Sequence, residues 1–294
     1  MSDTPESLRR TINSAGELRS VVRTMKALAA SSIGQYEGSV VALTDYYRAV
    51  QLGLGACLRA RESPPRALQR KQPEDTLENT AIVFGSDQGL VGQFNDAVSD
   101  CAVRTLTSLP GKSRVWAVGE RVHGRLADAG LSLLGLFAVP NSVQAITPLV
   151  GQIQVESESH RRAHASLWVF HNRPLPGALY EPVSQRLLPL DAQWERGLAE
   201  TPWPTTNLAE VVGSLIATLR TLVREYLFIS LFRACAESLA SENKSRLAAM
   251  ERADRNITEL LEQLQGTFHQ LRQSSIDAEL FDVISGFEAL GGSR

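Results

Sequence analysis

The chain has 294 residues, long enough for one or two domains, and its 30 lysines and arginines nearly balance 32 acidic residues, which gives no global pull toward nucleic acid or an anionic membrane surface. Cys57, Cys101 and Cys235 are odd in number, widely spaced and in no CxxC pair, so a disulfide framework or a zinc site is not expected. No apolar run approaches the roughly 20 residues of a bilayer span, and the first residues, with Asp3 and Glu6, do not read as a secretory signal, so a cytosolic setting is expected.

Segment 1–63 reads as one long helix. From Leu8 the residues Ile12, Ala15, Leu18, Val22, Met25, Ala29, Ile33, Tyr36, Val40, Leu43, Tyr47, Val50, Leu54 and Cys57 step by threes and fours. The mean step of about 3.5 is the period that imposes a left-handed supercoil. Pro5 suits a first helical turn, and Pro64 and Pro65 close the segment.

The middle, 64–204, has another character. Pro64 to Asn79 is rich in proline and charge, as a linker is, and Ala81 to Gly85 then reads as a buried strand. Phe94 to Leu109 reads as helix, Arg114 to Val118 as strand, Glu120 to Ala129 as helix and Leu131 to Val139 as strand. Val143 to His164 is mostly helical, Leu167 to His171 a strand, and Val183 to Leu190 an edge strand before Pro202 and Pro204. Strands alternating with helices predict a parallel sheet covered by helices, a Rossmann-like α/β domain.

Segment 205–294 contains no proline. Its apolar residues recur at helical spacing: Leu208, Val212, Leu215, Leu219, Leu222 and Tyr226, then Leu247, Met250, Ile257, Leu261, Leu264, Phe268, Leu271, Leu280, Val283, Ile284 and Phe287. A helix that long needs a partner, and the first segment is the natural one, giving a two-stranded antiparallel rod. Periodicity alone equally allows both helices to lie over a globular core. The fold class expected is therefore α/β, with a long antiparallel coiled coil of N- and C-terminal helices plus a central Rossmann-like domain.

Motifs for chemistry are sparse. Gly85, Gly89 and Gly92 follow the first strand, but their spacing is not that of a dinucleotide fingerprint, and no Gly-Lys-Ser/Thr ending makes a P-loop. The segment reads as a structural turn in which Asp87 bonds locally. His160 and His164 stand four apart without the glutamate of HExxH, His123, His171 and His269 are scattered, and no GxSxG elbow is present. No catalytic, cofactor-binding or metal-ligating residue is assigned.

Three stretches carry a family likeness. Ala240 to Asn243 (ASEN) precedes Arg246 to Met250, within a run from Glu225 to Leu264 followed by Arg272 to Leu290; Val21 to Ser31 reads VVRTMKALAAS; and Ser86 to Asn95 reads SDQGLVGQFN. Together they resemble the signatures of the gamma subunit of F-type ATP synthases, over most of the chain and least between Gly111 and Thr206. Gln88, Val91, Ser32 and Asp277 depart from the usual pattern, as expected of a divergent or alternative F-type branch.

The resemblance implies a non-catalytic central rotor stalk that couples ion flow to ATP synthesis or hydrolysis. Its implied partners are the alpha and beta subunits, an epsilon subunit and the membrane c-ring, with no nucleic acid, no cofactor and no direct bilayer insertion. The implied location is the cytoplasmic face of a bacterial inner membrane, held there peripherally. By the same likeness Arg272 and Gln273 match positions that meet a beta-subunit loop, and Met25 with Lys26 matches a segment facing the beta subunit's acidic loop. A coiled-coil scaffold or tether carrying an α/β recognition domain is the alternative, and an α/β enzyme with helical extensions would need a ligand at Gly85 to Asn95.

Overall fold

A computed structural model describes residues 4–60, 78–160, 165–207 and 209–291. Helix α1 (Pro5–Ala42) is followed by α2 (Thr44–Arg59), β1 (Glu78–Phe84), α3 (Phe94–Ser108), β2 (Lys112–Val118), α4 (Glu120–Asp128) and β3 (Ser132–Phe137). Then come α5 (Val143–His160), β4 (Ser166–Leu175), β5 (Ala178–Leu188), α6 (Ala192–Glu200) and α7 (Leu215–Gly291). The chain forms two compact units, one from Met1–Ala29 with Leu247–Arg294 and the other from Ala30–Arg246. Both proposed closing prolines, Pro64 and Pro65, lie outside the described residues, as do Leu208 and His164.

The larger unit is built on a five-stranded sheet in the order β3-β2-β1-β4-β5, parallel except for β5. The first strand sits in the centre, buried at every residue after Glu78, which is why it reads as an unbroken apolar run. One face carries Ala81, Val83, Val115 and Ala117 against Val98 and Leu106 of α3 and Val122 and Leu126 of α4. The other face packs Ile82, Trp116, Val118 and Val169 with Ile146 and Ile153 of α5 and with Ile229, Leu231, Ala236 and Leu239 of α7. Within this unit α7 is buried almost all round from Tyr226 to Glu242. That explains its small residues, Ala234, Cys235, Ala236, Ala240 and Ser241, since each lets a neighbour approach its backbone closely.

Four elements differ from the sequence expectation. The first segment, expected as one long helix, is two, α1 and α2, separated by a turn at Leu43. The long C-terminal helix begins at Leu215, ten residues after Thr205; Gly213 before it has φ of 88°, and Val212 is 91% exposed, so Val212 belongs to no stripe. The fourth strand continues through Pro174 to Leu175, because the β4–β5 ladder shifts register between Arg173 and Leu175 and needs no N–H from the proline there. Helix α6 has no counterpart in the periodicity. Its start is nonetheless capped by Asp191, whose carboxylate accepts the Trp194 N–H at 3.3 Å.

Candidate partner interface

The smaller unit pairs the outer parts of α1 and α7. On α1 the buried residues Leu8, Ala15, Val22 and Ala29 recur every seven, and the half-buried positions between them are Ile12, Arg19, Met25 and Lys26. Leu18, read as a seam residue, is 54% exposed. On α7 the inward positions are Met250, Asp254, Ile257, Leu261, Leu264, Phe268 and Leu271, again stepping by four and three. Val22, Met250 and Ile257 form the buried centre, with Met25, Ala249, Ala253 and Leu261 packed against it. Both helices therefore carry charge where a heptad seam expects an apolar residue.

Those charges meet. Arg19 Nε donates to Asp254 Oδ1 at 3.1 Å, Arg23 Nε lies 3.4 Å from the same oxygen, and Lys26 Nζ lies 3.6 Å from Glu251 Oε1. Numbers rise along α1 as they fall along α7, so the pair is antiparallel. The hydrogen bond from Arg19, with the charges of Arg23 and Arg19, holds the Asp254 carboxyl below the ordinary carboxylate range.

The pH consequence has a definite sign. A depressed folded value means that the stabilisation is present above the unfolded value of about 3.9 and is lost as pH falls through the folded one. Acidification below about pH 4 is therefore expected to loosen the parent helix pair more than an Asp254→Asn variant, as read by thermal melts and amide exchange of this pair. Equal acid sensitivity of the two proteins would contradict that assignment.

With Arg19 level with Asp254, Pro5 at the start of α1 falls level with Phe268, and α7 continues beyond it. From Arg272 to Ser285 every residue is exposed, including Ile276, Leu280, Phe281, Val283 and Ile284. Leu280, Val283 and Ile284 are thus not seam residues: α1 is no longer beside them. The side chain of Phe287 lies outside the described set. Arg272 and Gln273 stand exposed at the start of this bare stretch. Met25 lies against the apolar centre, and Lys26 is tied to Glu251, so the four residues singled out in the sequence fall into two settings on the same unit.

Within the larger unit, the turn read as a glycine turn is a lock. Ser86 N–H donates to Asn95 Oδ1 at 2.9 Å, and Asn95 Nδ2 donates back to Ser86 Oγ at 2.8 Å. Asp87 does more than bond locally. Its Oδ1 accepts the Glu120 N–H at 3.0 Å and its Oδ2 accepts the Val139 N–H at 2.9 Å. The N-terminus of α4 thus holds a carboxylate of the chain itself, which ties the turn after β1 to the helix after β2.

The ASEN segment has an equally structural part. Ser241 Oγ donates to the Asn172 carbonyl at 3.0 Å, Asn172 Nδ2 donates to the Phe94 carbonyl at 2.8 Å, and Arg246 donates to Glu242 Oε1 at 2.7 Å. Burial raises the Glu242 pKa, against the opposing charge of Arg246. His171 Nε2 meets Glu237 Oε2 at 2.8 Å while Arg233 Nε donates to Glu237 Oε1 at 2.7 Å. Burial alone would raise the Glu237 pKa, but these two bonds hold it below its ordinary value. Neither His171 nor Glu237 was distinguishable in the sequence, since their positions are 66 apart and only the fold joins them. They border a cavity of about 330 Å³ together with Arg173 and Arg233.

Terminal helices joined by a heptad seam, a helix-covered and mostly parallel sheet, and an exposed helix end define a coiled-coil protein that carries an α/β domain. The family model described as ATP synthase matches residues 4–290. Among curated proteins, the ATP synthase gamma chain of Sulfurihydrogenibium sp. is 24% identical, the match covering 97% of this chain and 98% of that protein. The gamma chain of Bdellovibrio bacteriovorus is also 24% identical, covering 98% and 99%. A chain in the Euglena gracilis mitochondrial ATP synthase structure shares the fold at a TM-score of 0.62 and 16% identity, over 99% of this chain and 96% of that one. One in the central stalk and c-ring structure from Tetrahymena thermophila gives 0.53 at 20% identity, over 79% and 99%. The chain belongs to the ATP synthase gamma-chain family, the non-catalytic central-stalk subunits. No described helix is long and apolar enough to cross a membrane.

Proposed function

We propose that this chain turns as the central rotor inside a ring of alternating alpha and beta subunits, coupling ion flow through a membrane sector to ATP synthesis or hydrolysis. The observation that carries this reading is the bare end of α7. A run from Arg272 to Ser285 that exposes Ile276, Leu280, Phe281, Val283 and Ile284 is unfavourable in water and is suited to an enclosing sleeve. As the rotor turns, three catalytic sites would meet different faces of the same helix pair, and differential contacts would bias their conformations.

In this reading Arg272 and Gln273 meet a loop of the beta subunit, and Met25 with Lys26 faces its acidic loop. A guanidinium with five donors suits a contact that is made and broken with carboxylates. Lys26 enters such a contact already paired with Glu251. The remaining proposed partners are an epsilon subunit and the c-ring, at the cytoplasmic face of a bacterial inner membrane.

Arg272→Ala tests the contact. The side chain is exposed, so the fold should persist, while an interfacial arginine is typically worth about 1–2 kcal/mol. Ion pumping per ATP hydrolysed in the reconstituted complex should fall severalfold. An unchanged ratio with the subunit fully incorporated would remove Arg272 from the interface.

A further inference from the structure

The geometry points to a binding site for a small tetrahedral oxyanion of the phosphate class in the cavity of about 330 Å³ within the larger unit. That volume is at the lower end of the roughly 300–1,000 Å³ typical of small-molecule sites. Four elements supply its polar wall: Tyr47 from α2, His171 and Arg173 from β4, Ser184 from β5, and Arg233 with Glu237 from α7.

The carboxylate in this wall is already neutralised. Glu237 Oε2 lies 2.8 Å from His171 Nε2, and Oε1 accepts from Arg233 Nε at 2.7 Å. An ionised carboxylate only accepts, so His171 Nε2 carries the proton of its bond. Both side chains of this pair are less than a tenth exposed.

Guanidinium donors, by contrast, are in surplus. Arg233 gives Glu237 only its Nε, which leaves both Nη groups without a hydrogen-bond partner among the described residues. Arg173 gives Nε and Nη2 to Glu181, leaving Nη1, and Glu181 is not part of the cavity wall. Two cations thus face the cavity against one carboxylate whose oxygens are both occupied. A ligand that completes the wall must bring negative charge and acceptor oxygens. The arginines stand on different elements, with the hydroxyls of Tyr47 and Ser184 on two more, so donors arrive from several directions. Such an array suits the oxygens of a tetrahedral anion better than a planar carboxylate, which takes a single fork. The Arg173 and Arg233 side chains retain 46% and 53% of their exposure, so a solute reaches them from solvent. Once bound, it would tie α2 and α7 to the β4–β5 edge of the sheet.

Titration calorimetry of the full-length chain with inorganic pyrophosphate, at constant ionic strength, tests the site. One saturable site per chain is expected, with an unfolding midpoint raised by about 5–10 °C at a hundredfold excess over Kd. Arg173→Gln, on an exposed ion pair, and Arg233→Lys, which keeps a cation beside Glu237, should each weaken binding by about tenfold. Glu181→Gln frees Arg173 and should tighten it, a gain that damage to the fold would not produce. Absence of saturable binding would overturn the proposal, as would affinity unchanged in Arg173→Gln or not improved in Glu181→Gln. Equal affinity for citrate would overturn the assignment to the phosphate class.

Discussion

Met250→Asp is expected to undo the helix pair while sparing the sheet. Met250 is 2% exposed and sits with Val22 and Ile257 at the centre of a small apolar cluster. Truncating such a methionine costs about 2–5 kcal/mol, and a carboxylate in its place must also be desolvated without a partner. Only a few residues share that cluster, so the change removes the apolar centre of the seam. Hydrogen exchange should show protection lost from Leu8 to Ala29 and from Leu247 to Leu264, with β1, β2 and β4 unchanged. Retained protection along both helices would contradict the seam as drawn.

Gly119→Ala should strike the larger unit instead. Gly119 joins β2 to α4 with φ of 112°, a conformation that L side chains rarely adopt, and its N–H donates to the Phe137 carbonyl at 2.9 Å. A Cβ added there would lie 2.8 Å from the backbone of Ser86, the residue that Asn95 holds in place. Strain of about 1–3 kcal/mol from the dihedral alone adds to this backbone clash. An unfolding midpoint lower by about 6–12 °C is expected, on the scale of roughly 2–4 °C per kcal/mol for a unit of this size. A midpoint within a degree of the parent would mean that the turn can relax and that Asp87 and Asn95 do not need it.

How much of this was legible follows from what each pattern encodes. The sheet could be read because β1 and β2 are buried on both faces and so appear as short apolar runs between helical segments. Helix α6 could not, since nine residues with a single buried leucine, Leu198, give too little period to detect. The terminal helices were visible from their heptads, yet the details of the seam were not. Leu18 fitted the apolar pattern and is exposed, whereas Arg19 broke it and lies inward, because the inward positions follow strict four-three steps and Asp254 supplies a partner for the charge. A one-sided reading of hydrophobicity misses a position whose neutralising partner lies 235 residues away.

The bare end of α7 shows a related limit. Leu280, Val283 and Ile284 have helical spacing, but periodicity reveals only that a face is apolar and not which chain covers it. Their exposure became informative once the start of α1 fixed where its cover ends. The Ser86 to Asn95 turn was recognisable by its glycines, and its role emerged only when Asp87 was seen to bind the backbone at Glu120 and Val139, which the sequence places far away. Arg272, Gln273, Met25 and Lys26 came from family likeness alone, and no local pattern would have separated them from other polar or apolar helix residues.

The rotor role is tested most directly by assembling this chain with the alpha and beta subunits of an F-type ATP synthase and following a bead fixed to the α/β unit during ATP hydrolysis. Unidirectional, ATP-dependent rotation is the predicted result. Hydrolysis by a fully assembled complex whose bead shows only Brownian motion would contradict it.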